Sequence, residues 1–332
     1  MSLDSRTAAI ETAFNSVGLP TFSVINQAGL MELSGVADAA AVERYGLLQA
    51  SGAVVAAFPY DPRRQEACSE TDPGAGGSPP FARIGAFASW NRYAALSRLL
   101  LGAGRLLSEA SGLPAKGFRA IVNSRLPEKR LAVTAGLGFI GRSSLVVTNA
   151  YGPACLLGAL LLPPEFSLEA FVSSQKRAEA EAALIPGSGC GSCRACVDAC
   201  PGGAVRANGT EIQLERCIQY WTTRPGRVPE PVQAVWGCRL YGCDVCVDAC
   251  PRSRAAWLVD SLGTSPADRA DRRILPAERR PGRLVSLAFL KTARDDEIKA
   301  FFRKTALGQS WIGVSELRRN ACLTSAFQSV GI

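Results

Sequence analysis

Residues 189–201 read GCGSCRACVDACP, and residues 243–251 read CDVCVDACP. The first run spaces its cysteines C-x2-C-x2-C-x3-C-P, and the second repeats its last three cysteines and the proline. A 4Fe–4S cluster needs four thiolates. One C-x2-C-x2-C loop supplies three, and the cysteine before proline reaches the other cluster in two-cluster ferredoxins. Exchange of that kind groups Cys190, Cys193 and Cys196 with Cys250. Cys200, Cys243 and Cys246 then share a second cluster that lacks one thiolate, and both Cys217 and Cys238 are available to it. Cys238 stands at a C-x4-C spacing from Cys243, whereas Cys217 opens the more distant CIQYW. A zinc ribbon would use two C-x2-C pairs and leave the proline-flanked cysteines without a role. Two 4Fe–4S clusters are therefore expected.

Composition narrows what surrounds them. The chain has 332 residues, enough for about two domains. It is 47% apolar, yet no uninterrupted apolar run reaches the roughly 20 residues of a membrane span. Asp4 lies in an N-terminus with no cationic segment ahead of an apolar one, so no secretory signal is expected. Clustered thiols without such a signal fit a reducing, cytoplasmic setting with no membrane partner. The twelve cysteines contrast with a complete absence of histidine. That absence excludes imidazole-ligated zinc or haem, Rieske ligation, and catalysis by Ser-His-Asp or Cys-His. Proton donors must come from Asp, Glu, Tyr, Lys, Cys or water.

The net charge is +8, and the excess gathers late in the chain at Arg252, Arg254, Arg269, Arg272, Arg273, Arg279, Arg280 and Arg283, followed by Lys299, Arg303, Lys304, Arg318 and Arg319. Such a stretch is either a solvated surface or the footprint of a nucleic-acid binder.

Periodicity predicts helices over 5–17, 91–111 and 128–135, and strands over 22–25, 53–58, 118–122, 144–147 and 155–162. Residues 69–80 read as a Gly/Pro/Ser loop. Gly136, Gly138 and Gly141 form a literal G-x-G-x-x-G. The dinucleotide fingerprint must follow a strand and open a helix, whereas this one follows a helix and precedes a strand, so no nicotinamide site is expected. A glycine turn approaching another bulky ligand stays open. Cys68, Cys155 and Cys322 are expected not to be ligands.

Residues 128–162, EKRLAVTAGLGFIGRSSLVVTNAYGPACLLGALLL, lie ahead of the cysteine runs. Cys217-Ile218-Gln219-Tyr220 lies between them, Tyr241-Gly242-Cys243-Asp244 opens the second, and Arg319-Asn320-Ala321 follows near the end. In this order the motifs resemble the epoxyqueuosine reductase family, cobalamin-dependent iron–sulfur enzymes of tRNA queuosine synthesis related to reductive dehalogenases. The resemblance implies that Cys217 completes the second cluster, leaving Cys238 as an extra thiol. It implies an α+β fold: a nitroreductase-like, cobalamin-binding α/β sandwich (1–165), a bacterial ferredoxin-like module with two clusters (166–260), and a basic, mostly helical segment (261–332). It implies base-off cobalamin, reduced through the clusters by a donor of the flavodoxin or ferredoxin type, and tRNA as a further partner. Asn123, Gly136, Gly138, Gly141, Ser143 and Ser144 are the implied cofactor-binding residues.

The sequence departs from the family at the proton donor. The family aspartate falls on Val122 or Asn123, neither of which can donate a carboxylic proton. An Arg-Asp-Tyr-His segment reads Asn91-Arg92-Tyr93-Ala94, which keeps only the tyrosine. Tyr93 and Glu128 are the remaining candidate catalytic residues. Three readings follow: a cobalamin-dependent reductase with another substrate, an epoxyqueuosine reductase with a rewired donor, or an electron-transfer protein.

Overall fold

The computed structural model describes residues 3–63, 81–168, 174–208, 212–259, 263–274, 283–303, 305–308 and 311–330. Among them run nine strands: β1 (Phe22–Asn26), β2 (Gly52–Pro59), β3 (Phe81–Ile84), β4 (Arg119–Val122), β5 (Gly138–Ile140), β6 (Val146–Thr148), β7 (Cys155–Leu162), β8 (Arg239–Tyr241) and β9 (Leu284–Ser286). The apolar runs AVVAAF and CLLGALLL become β2 and β7, the central pair of an antiparallel sheet ordered β1-β2-β7-β4. Every residue of β2 is buried, and β7 nearly so. Strands without a polar face need cover on both sides. One cover is the helix Arg92–Ser111, whose Leu96, Leu100, Ala103 and Leu107 form one buried stripe. Asn91 caps its start by accepting from the Ala94 N–H at 3.0 Å. Across β2 lie the helices Gln27–Ser34, Glu128–Thr134 and Pro266–Ile274. The mixed helix-and-sheet architecture expected from the sequence is present.

Three distant segments share a second sheet, ordered β8-β3-β9, in which β3 runs parallel to β8 and antiparallel to β9. Its core joins Ile84, Leu240 and Val285 to Leu290, Ile298 and Phe302 of the C-terminal helices. The cysteine-bearing segment is thus stitched between the first sheet and the chain's end. Buried Arg283 makes one stitch, donating to the carbonyls of Ile84 and Pro62 and to Asp244 at 2.7 Å. Asn320 makes another, its side-chain amide donating to the carbonyls of Thr222 and Leu240. Arg319 reaches the carbonyls of Trp221, Arg224 and Gly226. Through Arg319 and Asn320 the Arg319-Asn320-Ala321 motif fastens the last helix to the cysteine segment, and Ala321 is fully buried beside them. No helix among the described residues is long and apolar enough to cross a membrane.

Candidate functional site

Each cysteine run builds one short helix, Ala195–Ala199 and Val245–Asp248, and the two helices pack on each other. The cysteine before each proline leaves its helix in the same conformation: Cys200 at φ −68, ψ 111, and Cys250 at φ −70, ψ 120. Proline's ring disfavours helical backbone in the residue before it. That turn directs each last thiol away from its own loop. Cys196 feels the charge of Cys190, Cys250 and Cys193, and Cys250 feels that of Cys190 and Cys193. Cys246 feels Cys243, Cys217, Cys200 and, more weakly, Cys196, while Cys217 feels Cys243 and Cys200. Two groups of neighbouring thiols result, Cys190/Cys193/Cys196/Cys250 and Cys200/Cys217/Cys243/Cys246. Burial pushes the Cys196 thiol up to about 11 and Cys246 well above the ordinary thiol range. Among the described residues no three thiols or carboxylates are drawn tightly enough to grip a single ion. A cubane needs its thiolates spread over the corners of a larger body.

A cavity of about 360 Å³ opens beside the second group. Cys200, Cys217, Cys243 and Cys246 lie on its wall together with Tyr60, Tyr93, Asn123, Glu128, Lys129, Ser143 and Cys155. The remaining wall is chiefly apolar, with Phe87, Leu145, Leu157 and Ile218. Both candidate catalytic residues are therefore here. Desolvation raises the Glu128 carboxyl, while the Ser124 N–H donates to its Oε1 at 2.6 Å and opposes the shift. Burial, with Tyr241 and Glu128 nearby, holds Tyr93 protonated far above its ordinary range. Lys129 is pulled down by desolvation, and its Nζ donates to the Ser144 carbonyl at 2.8 Å.

Of the two positions matched to the family aspartate, Asn123 lines the cavity. Val122 turns away, its Cγ2 lying beside Gly158 with Leu96 and Leu100. Among the described residues, Asn123 and Ser144 are the non-glycine residues with left-handed backbone, at φ 52 and φ 58. Such conformations cluster at functional sites.

The glycine motif is divided. Ser143 reaches the cavity, but Gly136 and Gly138 line a separate recess beside Phe22 and Glu179. Gly136, at φ 85, ends the helix Glu128–Thr134. A Cβ on Gly138 would stand 2.2 Å from the Val147 carbonyl oxygen, so this glycine serves the β5–β6 pairing. Cys155 donates weakly to the Gly152 carbonyl, and burial raises its thiol to about 12. Cys238 belongs to neither thiol group and lines a second recess with Arg83, Arg239 and Cys243. Cys322 is exposed, whereas Cys68 and the expected loop at 69–80 lie outside the described residues. Arg279, Arg280 and Lys304 lie outside them too, as do the side chains of Arg272 and Arg273. Sequence reading missed Tyr60 and Lys129 as cavity residues. Tyr60 follows the end of β2, and Lys129 directly follows Glu128, but neither carries a motif of its own.

Comparison with known proteins agrees with this picture. Residues 189–253 match a family described as a 4Fe-4S double cluster binding domain, so this segment binds two 4Fe–4S clusters. Epoxyqueuosine reductase of Staphylococcus aureus is 31% identical over 201 residues, covering 60% of this chain and 45% of its own. That of Aliivibrio fischeri is 36% identical over 142 residues, covering 42% and 34%. The chain spans less than half the length of these curated relatives. The fold is that of solved epoxyqueuosine reductases. The Bacillus subtilis enzyme, solved with its catalytic aspartate loop swung out of the active site, aligns with a TM-score of 0.65 at 22% identity, over 97% of this chain and 81% of its own. An epoxyqueuosine reductase holding an epoxyqueuosine-modified tRNA stem loop aligns with a TM-score of 0.64 at 22% identity, over 97% and 80%.

Proposed function

We propose that this chain is a cobalamin-dependent iron–sulfur reductase of the epoxyqueuosine reductase type, with a substrate that need not be epoxyqueuosine. One observation carries the reading: a single cavity is lined both by the four thiols proposed for one cluster, Cys200, Cys217, Cys243 and Cys246, and by Tyr93, Asn123 and Glu128. The cluster ligands would be Cys190, Cys193, Cys196 and Cys250 for the first cluster, and Cys200, Cys217, Cys243 and Cys246 for the second. Working units would follow residues 1–165, a nitroreductase-like sandwich, then 166–260 and 261–332.

The residues present fit a corrinoid. The cavity wall is mainly apolar, and Asn123, Glu128, Lys129 and Ser143 are the polar groups that would hold the cofactor there; base-off binding is what the likeness to epoxyqueuosine reductases implies. When bound, the clusters would supply one-electron relay and the corrinoid a low-valent cobalt. Around that chemistry the chain's own groups exclude water and keep protons available. Glu128 is biased towards its acid form, Tyr93 keeps its phenol proton, and Lys129 stands beside them. Asn123, in the donor position, can orient a substrate by hydrogen bonds but cannot give a carboxylic proton. Cys193 is exposed, which suits entry of electrons from a flavodoxin- or ferredoxin-type donor at the first cluster.

The second reading, an epoxyqueuosine reductase acting on tRNA, is favoured by the fold shared with the stem-loop-bound enzyme. Against it, Arg283, Arg318 and Arg319 of the basic tail are spent on internal carbonyls and carboxylates. The deciding test incubates reduced, cobalamin-supplemented protein anaerobically with an epoxyqueuosine-bearing tRNA stem loop. A nucleoside lighter by one oxygen would assign the second reading. An unchanged stem loop, with cobalamin reduced only when Cys243 and Cys246 are intact, would support the first. Cobalamin left oxidised would leave a bare electron-transfer protein.

A further inference from the structure

The segment 138–142, GFIGR, is unused by the cavity, yet each residue from Phe139 to Arg142 meets the first cysteine loop. The Phe139 ring packs against Gly189, where an added Cβ would stand 2.6 Å from the ring. The Ile140 carbonyl accepts from the Gly187 N–H at 2.8 Å. A Cβ on Gly141 would lie 3.9 Å from the Cys190 sulfur. Arg142 then closes the contact with three hydrogen bonds: Nη2 donates to the Gly191 carbonyl at 2.8 Å, Nε to the Cys193 carbonyl at 3.1 Å, and Nη1 to the Ala207 carbonyl at 2.5 Å. From the other side, Arg252 lies over the Phe139 ring at 5.2 Å.

We infer that Arg142 is a positioning residue for the first cluster, setting its potential and fixing it to the sheet domain that walls the cavity. This rests on the cluster assignment proposed above. The loop that must surround the cluster has few side chains of its own between Cys190 and Cys196, so its carbonyls need outside donors. A planar guanidinium satisfies two of them, Gly191 and Cys193, and also the Ala207 carbonyl from one fixed point, which an ammonium cannot match in geometry. Its positive charge also sits against the carbonyl of Cys193, an assigned ligand, and that of Gly191, which follows the ligand Cys190. Reduction adds negative charge to a cluster, and a nearby cation favours the reduced form. Removing the charge should lower the first cluster's potential and leave the second, beside the cavity, unchanged.

The experiment is an EPR-monitored redox titration of intact wild-type protein, Arg142→Lys and Arg142→Gln, with iron analysis of each. Wild type should bind about eight iron atoms, as two cubanes require; fewer would mean that the cluster assignment itself has failed. Given both clusters, one midpoint potential should fall in Arg142→Gln while the other stays at its wild-type value, and Arg142→Lys should recover most of the fall. If Arg142→Gln instead retains one cluster, that cluster should titrate at an unchanged wild-type potential, with both present in Arg142→Lys. Two unaltered potentials, two potentials falling together, or loss of both clusters would overturn the inference.

Discussion

Asn123 holds its backbone at φ 52 on the cavity wall, a conformation that asparagine and aspartate tolerate and β-branched residues do not. Asn123→Asp should therefore fold as wild type does, whereas Asn123→Val should lose about 1–3 kcal/mol in chemical denaturation. Equal stability of the two variants would contradict the assigned backbone. At Cys217 the prediction concerns iron. Cys217→Ala should lose one cluster, about half the iron, and Cys238→Ala should keep both; the opposite result would exchange the ligands. Glu128 gives a prediction in pH. Its folded pKa is raised, so its contribution to stability is full below about 4.5 and is lost as pH rises through the folded value. Glu128→Gln has no carboxylate to desolvate and can still accept from Ser124. Its thermal midpoint should gain on wild type from pH 4.5 towards neutrality, and a constant difference would refute the shift. The two cysteine runs were legible in the sequence because cluster ligation fixes cysteine spacing locally; the choice of Cys217 over the nearer Cys238 was not, and it came only from the family resemblance. The preference for Asn123 over Val122 was not legible either, because strand alternation and the turn after β4 decide which one faces the cavity.

Elements divide in the same way. β2, β7 and the helix Arg92–Ser111 were readable because long apolar runs and 3.6-residue periodicity leave few alternatives. β3, β8 and β9 have three or four residues each, and their pairing joins segments more than a hundred positions apart. Short strands take their identity from partners that local sequence does not reveal. The helix Pro266–Ile274 is another such case. Its charged sequence reads as surface, yet Asp271 is 1% exposed and paired at 2.9 Å with Arg92, also 1% exposed. Arg92 further donates to the Ala86 carbonyl and to Ser89, and stacks on Trp90. Removing one partner of a buried pair leaves the other charge uncompensated. Asp271→Ala should cost about 3–5 kcal/mol in urea unfolding. A loss below about 1 kcal/mol, the range of exposed pairs, would show that the Arg92–Asp271 pair does not hold this helix in place.

At the scale of the molecule, the cavity was the least legible feature. Its wall draws on Tyr60, Tyr93, Asn123, Ser143, Cys200 and Cys246, which come from both the first sheet's surroundings and the cysteine segment and so from distant parts of the chain. One thiol set reaches the surface at Cys193, and the other faces the cavity. The most direct test is an anaerobic titration of cobalamin into protein carrying both clusters, followed by visible absorption. On the proposed reading, drawn from the likeness to epoxyqueuosine reductases, the bound cofactor should shift from its base-on to its base-off spectrum, saturating at one equivalent per chain. An unchanged base-on spectrum at saturating protein, with the iron content intact, would contradict the account.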